Sequence, residues 1–217
     1  ILDLGCGWGA LALWLAERLP NARIVAVSKS PGQRAFIESA RRANVEVRTA
    51  DLNSFDPGAR FDRIVAIEVF EHRTNWRALL QKCRVWLKPN GRLFVHHFAH
   101  ATTPYRFDVA DDWVARNFFA GGIMPSRTLL SGFGDLFETE ETWRWSGRHY
   151  ERTALGWLAN FDANAEIVRP ILETAYGVNA ALWEHRWRLF FLSMATLFAH
   201  AGGDVWGITH ARLMPAG

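Results

Sequence analysis

Two clusters in this 217-residue chain carry residue types and spacings able to do chemistry, and a third invites the question. Glycines at positions 5, 7 and 9 follow the apolar run Ile1-Leu2-Asp3-Leu4 and precede the helical run Ala10 to Leu19. Glycines at a strand-to-helix turn let the backbone pass close beneath a ligand, and the next helix offers it unpaired N–H groups. That combination suits a nucleotide-type cofactor. Glu68, Glu71 and His72 place two carboxylates and an imidazole within five positions, a set suited to acid–base work. His96, His97 and His100 raise the question of a metal. Strand alternation puts His96 and His97 on opposite faces, and no carboxylate or thiolate set completes a coordination shell, so no metal is expected. His96 fits a polar pocket wall better, and His97 a packed, hydrogen-bonded position.

Gly5-Cys6-Gly7-Trp8-Gly9-Ala10 also satisfies the G-x-G-x-x-[GA] pattern of dinucleotide binders, so a nicotinamide or flavin enzyme competes. That alternative wants a carboxylate after strand two to hold the ribose hydroxyls, and the chain offers Val27-Ser28-Lys29-Ser30. Lys29 would suit a 2′-phosphate, which keeps the alternative in play. Asp3 ahead of the glycines and Asp51 after strand three point elsewhere.

The elements that must position these residues follow from periodicity. Leu11, Trp14, Leu15 and Leu19 have the spacing of a helix packed on a sheet, ended by Pro20-Asn21-Ala22. Arg23–Val27 is strand two. Ser30 caps a helix running to near Asn44, with Pro31 in its first turn and Gln33 placed to close a capping box. Val45–Thr49 is strand three and Phe61–Ile67 strand four. Asn75 caps a helix through Leu87, and Lys88–Gly91 turns into strand five, Arg92–Phe98. Alternating strands and helices predict a doubly wound, mostly parallel α/β sheet, which binds ligands at the carboxyl ends of its strands. Asp3, Gly5, Ser28, Asp51, Glu68–His72 and His96–His100 all fall at or near those ends.

After Ala99 the rhythm breaks. Residues 101–130, with Trp113, Phe118, Phe119 and Gly121-Gly122, suit a lid or pocket wall. Glu138–Trp145 is a candidate strand, Tyr150–Val168 a helix, and Ala180–His200 a long helix. Trp183, Trp187, Phe190, Phe191, Met194, Leu197 and Phe198 share one face of that last helix. Val205–Leu213 is the final strand.

Composition bounds the rest. Half the residues are apolar and the net charge is +3, enough for one sizeable core and with no call for a nucleic-acid partner. Cys6 and Cys83 have neither metal nor redox spacing, which suits a reducing, cytoplasmic setting. The longest apolar run, Leu189–Ala199, is too short to span a bilayer. The chain starts inside its first strand without an initiator Met, which points to a longer protein.

DLGCGWG, VSKSPGQ, FDRIVAIEVFEH, LKPNGRLFVHHF and FFAGGIMPS together resemble S-adenosylmethionine-dependent methyltransferases of the cyclopropane fatty acid synthase type, most of all the coclaurine N-methyltransferase branch and its bacterial relatives. GRHYERT, WRLFF and GGDVWGITH extend the resemblance to the end of the chain. It implies a seven-stranded, Rossmann-like class I methyltransferase sheet with a helical lid after strand five. Residues 1–100 would bind the cofactor. Residues 101–200 would form the lid and substrate pocket, with one sheet strand near 137–145, and 201–217 would return as the final strand.

The resemblance also implies roles. Gly5, Cys6 and Gly7 would pass beneath the methionyl part of S-adenosylmethionine, and Asp3 would fix that turn and the amino group. Ser28 and Gln33 would take the ribose region, Asp51 and Leu52 would bracket the adenine, and Ile67 would line the site. Glu68 and His72 would hold and deprotonate an amine, with Glu71 in support. In cyclopropane synthases Glu71, His96 and Tyr150 match a cradle for bicarbonate, whose further member would lie upstream, and a small residue typically replaces Glu68. Arg73-Thr74-Asn75-Trp76 departs from the plant enzymes. The expected partner is a small, aromatic amine or a lipid acyl chain, with peripheral membrane contact and a homodimer as further options. A non-catalytic cofactor-binding domain is the rival from another class.

Overall fold

A computed structural model describes residues 1–217. Seven strands form one mixed sheet: β1 (Leu2–Leu4), β2 (Ile24–Ser28), β3 (Val45–Thr49), β4 (Phe61–Ile67), β5 (Leu87–His100), β8 (Phe137–Ser146) and β9 (Trp206–Pro215). Their order is β3-β2-β1-β4-β5-β9-β8. The first five are parallel and β9 runs antiparallel between β5 and β8. A two-stranded hairpin, β6 (Tyr105–Arg106) with β7 (Ile123–Met124), stands beside it.

Both faces of the parallel part are covered, and every residue of β1 and β2 is buried. On one face Leu2, Leu4, Val27, Ile64 and Leu93 share a 23-residue core with Leu80, Cys83 and Trp86 of α3 (Trp76–Trp86). On the other, Ala12 and Ala16 of α1 (Ala10–Arg18) meet Ile24 and Ala26. Helix α2 (Pro31–Ser39) starts at the predicted cap, the Ser30 hydroxyl accepting from Gln33 N, and Asn75 caps α3 by accepting from Ala78 N.

Several boundaries move. Helix α2 stops at Ser39, five residues before Asn44. The ladder already pairs Leu87 with Phe61, then resumes at Arg92 against Arg63, so Lys88–Gly91 is an irregularity inside β5. The helix expected from Tyr150 to Val168 divides at Asn164 into α5 (Arg148–Ala163) and α6 (Ala165–Tyr176).

Residues between β5 and β9 form two groups. The hairpin and the short helix α4 (Trp113–Asn117) precede β8; α5, α6 and α7 (Ala180–Ala199) follow it. The aromatic face of α7 divides as well. Phe118 lies among Trp183, Trp187 and Phe190, stacked on the last at 4.4 Å, whereas Phe191 meets Trp157 and Phe161 of α5. No helix is long and apolar enough to cross a membrane.

Candidate functional site

The turn after β1 holds Gly5, Gly7 and Gly9 at φ of 68°, 55° and 81°, all left-handed. A Cβ on Gly5 would stand 2.6 Å from Val69 Cγ2, while one on Gly7 would meet nothing within 4 Å. Gly9 leads into α1 without any side-chain cap, so the helix leaves N–H groups free at its start. Gly5 and Gly7 border a cleft of about 290 Å³ along the strand ends. Gly5, Gly7, Ser28, Gln33, Leu52, Glu68 and His72 line it, with Lys29, Val69 and Arg73 added.

The remaining expected cofactor residues stand around that cleft. Asp3 lies beneath the turn, 2% exposed, and its Oδ2 has no hydrogen-bond partner. Burial pushes its carboxyl up to about 7. Cys6 packs its side chain against the Ala12–Ile24 cluster and donates its backbone N–H to Val27 O, so its burial, pushing the thiol to about 12, leaves it inert. Ile67 pairs with His96 in the ladder and does not line the cleft. Asp51 is at the rim, ion-paired with Lys29 at 2.7 Å and accepting from Asn53 N. Lys29 holds its carboxyl down at about 2.

Gln33 departs from the predicted capping box. Its side-chain oxygen accepts from the Ser28 hydroxyl, and Ser28 in turn accepts from Ser30 N. The reciprocal bond is replaced by one that fixes Ser28 and Gln33 against each other at the cleft wall.

Glu68 follows β4 at φ 55°, an unusual value for a residue with a side chain and one that is kept only where the surroundings hold it. Its N–H donates to His96 O. Its carboxylate lies between two donors: His96 Nε2 is 3.1 Å from Oε1, and the Tyr150 hydroxyl donates to Oε2 over 3.1 Å. Tyr150 comes from α5, stacks on Phe198 at 4.3 Å and is kept a phenol by burial and by the charge of Glu68. His96 Nδ1 lies 3.0 Å from His210 Nε2 on β9.

Three residues on, Glu71 is fully buried. One oxygen accepts from Phe98 N at 2.9 Å and the other has no partner. Burial, then repulsion from Glu68, raises its pKa and favours the protonated acid. His72 opens to the cleft with its ring against Phe119, centroids 4.4 Å apart. Enclosure lowers its pKa, with Glu68 opposing. Gly122 permits that contact, since a Cβ there would strike the Phe119 ring and stand 2.8 Å from Glu71 O. Phe119 continues to Phe107 at 4.9 Å and Phe98 at 5.8 Å, in a packed aromatic cluster that also takes in Tyr150, the donor to Glu68. His97 points to the opposite face, its Nδ1 on Phe98 O and its ring edge-on to Trp76. No three His, Cys, Asp or Glu side chains gather as a metal set.

The profile of the mycolic acid cyclopropane synthetase family matches residues 1–207. The chain belongs to that family. Among curated relatives it is 37% identical over 97% of its length to (S)-coclaurine N-methyltransferase of Thalictrum flavum subsp. glaucum, and spans 61% of that protein. Cyclopropane-fatty-acyl-phospholipid synthase of Escherichia coli K12 is 26% identical over 74% of this chain and 41% of its own. The fold is that of a crystal structure of coclaurine N-methyltransferase bound to N-methylheliamine and SAH, with TM-score 0.92, 35% identity and coverage of 98% of this chain and 66% of that one. The class I methyltransferase fold expected from the motifs is therefore the fold observed. This family member spans about three fifths of the length of the curated N-methyltransferases it matches.

Nothing local in the sequence marks His210 as a functional residue. Its partner lies 114 residues away, and only the antiparallel register of β9 on β5 brings His210 opposite His96. Val69 and Arg73 also line the cleft, and their places within and just after the EVFEH segment are the local signal for them.

Proposed function

We propose that this chain is the catalytic part of an S-adenosylmethionine-dependent methyltransferase that methylates the nitrogen of a small aromatic amine. The observation that carries this is the position of Glu68: one carboxylate on the wall of the glycine cleft, tied through Tyr150 to the aromatic cluster of Phe98, Phe119 and Phe198. The likeness to an N-methyltransferase at 37% identity supports it.

The cleft fits the cofactor. Asp3 Oδ2 is a buried acceptor without a partner under the turn, suited to an ammonium. The open space over Gly7 leaves room for a methionyl chain, Ser28 and Gln33 stand ready for ribose hydroxyls, and Leu52 offers an apolar wall to adenine. When bound, S-adenosylmethionine supplies an electrophilic sulfonium methyl group. Residues 1–100 and 201–217 form this cofactor side, and 101–200 the acceptor side.

An amine arriving as ammonium has no lone pair. Glu68 holds it and takes the N–H proton, while His72, backed by Phe119, fixes the nitrogen in line with the methyl group. The freed lone pair forms the N–C bond as the C–S bond breaks, its electrons going to sulfur. Glu71 is a buried support that fixes the Phe98 backbone beside the aromatic cluster.

The lipid-alkene alternative uses Glu71, His96 and Tyr150 as a bicarbonate cradle. Here His96 and Tyr150 both bind Glu68, so the chain's own carboxylate sits between them. That favours the amine. The test is to incubate the full-length protein with methyl-labelled S-adenosylmethionine, secondary and tertiary amines, and unsaturated phospholipid vesicles, then locate the label by mass. Label on an amine is expected. Label in lipid alone overturns the proposal, and bound cofactor without transfer favours a cofactor-sensing domain.

A further inference from the structure

We propose that His210 is a positioning residue for Glu68: its Nε2–H fixes His96 in the tautomer that donates to the carboxylate. The proposal rests on the reading of Glu68 as the base. His210 and His96 are direct cross-strand partners in β9 and β5, their rings edge-to-face at 4.6 Å and their nitrogens 3.0 Å apart.

The hydrogens can be placed by elimination. A carboxylate only accepts, so His96 Nε2, 3.1 Å from Glu68 Oε1, carries the hydrogen. A neutral His96 then presents a bare Nδ1, and the facing His210 Nε2 must donate to it. That leaves His210 Nδ1 as a bare lone pair, and Nδ1 is the buried atom that finds no partner. It sits among rings, with Trp145 4.6 Å and Phe94 5.9 Å away between centroids. The reverse direction would bury an N–H donor without an acceptor, which proteins tolerate least. Burial and the neighbouring His96 lower the His210 pKa, with the Trp143 backbone opposing.

The consequence is chemical. A neutral His96 orients Glu68 without forming an ion pair with it, so no imidazolium competes with the incoming ammonium for the carboxylate. Tyr150 supplies the second neutral donor. The carboxylate is held in place yet keeps its charge for the substrate.

The test uses ring-nitrogen NMR and kinetics on the full-length protein, with heliamine, the unmethylated parent of N-methylheliamine, as probe. Both histidines are expected as Nε2–H tautomers. His210→Phe, which keeps the bulk and removes the donor, should lower kcat by about 10- to 100-fold with the cofactor KM unchanged. His210→Gln, whose amide can reach the same position, should recover most of it. In a Glu68→Gln background His210→Phe should add almost nothing, since the two act as one unit. An Nδ1–H tautomer at His210, equal losses in the Phe and Gln variants, or additive losses with Glu68→Gln would each overturn the proposal. Wild-type turnover in Glu68→Gln alone would instead sink the base reading, and the ring-nitrogen spectra would still judge His210.

Discussion

On one side of the cleft the working surface is backbone and strand ends: three left-handed glycines, an uncapped helix start, and short polar side chains after β2 and β3. On the other it is aromatic side chains brought from far along the chain, with Phe119 against the ring of His72, Phe98 against Phe119 and Phe198 beneath Tyr150. The first side recognises a ligand by close approach, which almost any side chain would block. The second recognises by shape and can be re-cut one ring at a time. Glu68 stands at the seam, with its backbone in the cofactor turn region and its carboxylate fixed by β5 and α5.

The strongest way to break this division is Glu68→Gln. If the seam is where proton removal occurs, kcat for an amine falls by about 10²- to 10⁴-fold while cofactor affinity stays nearly unchanged. Steady-state kinetics with calorimetric cofactor titration separates the two. Loss of cofactor binding would put Glu68 on the wrong side.

Asp3 tests the backbone side through pH. In the unfolded chain its carboxyl titrates near its ordinary value of 3.8, and burial raises it to about 7 in the fold. Between these values the folded state binds a proton that the unfolded state lacks, so stability from this group is greatest in acid and falls as pH rises toward 7. The penalty levels off above pH 7 at up to about 4 kcal/mol. Asp3→Asn should flatten this slope, its Tm gaining on the parent at pH 8 more than at pH 5. If the cofactor's ammonium pairs with Asp3, binding near pH 6 should also release protons, measurable by calorimetry in buffers of different ionisation heat. A Tm profile identical in parent and variant would contradict the burial argument.

A pair of substitutions then sharpens the contrast. Gly5→Ala forces a Cβ onto Val69 at a left-handed φ of 68°, a strain of about 1–3 kcal/mol expected to lower both Tm and cofactor affinity. Phe119→Ala removes one ring from the aromatic cluster beside His72, worth about 1 kcal/mol in ring contacts, so the amine KM should rise several-fold with cofactor affinity intact. If Phe119→Ala weakened the cofactor instead, the two sides would not be separable.

This division also explains what could be read in advance. The parallel strands and their connecting helices follow from local periodicity, and so do the glycine turn and the caps at Ser30 and Asn75. The acceptor side resisted. Nothing local links Tyr150 to Glu68, 82 positions apart, and no periodicity marks Asn164 as the break between α5 and α6, since apolar spacing continues across it. Gln33 shows a subtler limit: the capping-box spacing is present, but Ser28 offers its side chain a competing partner that only the turn geometry brings within reach. Resemblance to a family bridged part of that gap for Tyr150. It did not reach the His96–His210 pair, which depends on strand register.

The smallest effect falls at Lys29, where the dinucleotide alternative would have a cation face a 2′-phosphate. Its ammonium instead closes on Asp51 at 2.7 Å, with Arg73 3.7 Å from the same carboxylate. Asp51 thus has one oxygen on Asn53 N and the other on Lys29, and an adenosine that used this carboxylate would have to compete with the lysine. Lys29→Ala removes the competitor. Because the pair is solvent-exposed, S-adenosylmethionine affinity should rise by less than about fivefold at low salt. The gain should fade as added salt screens the lysine in the parent protein. A fall in affinity would mean that Lys29 itself faces the ligand, and the wall after β2 would then be an anion site rather than the ribose wall proposed here.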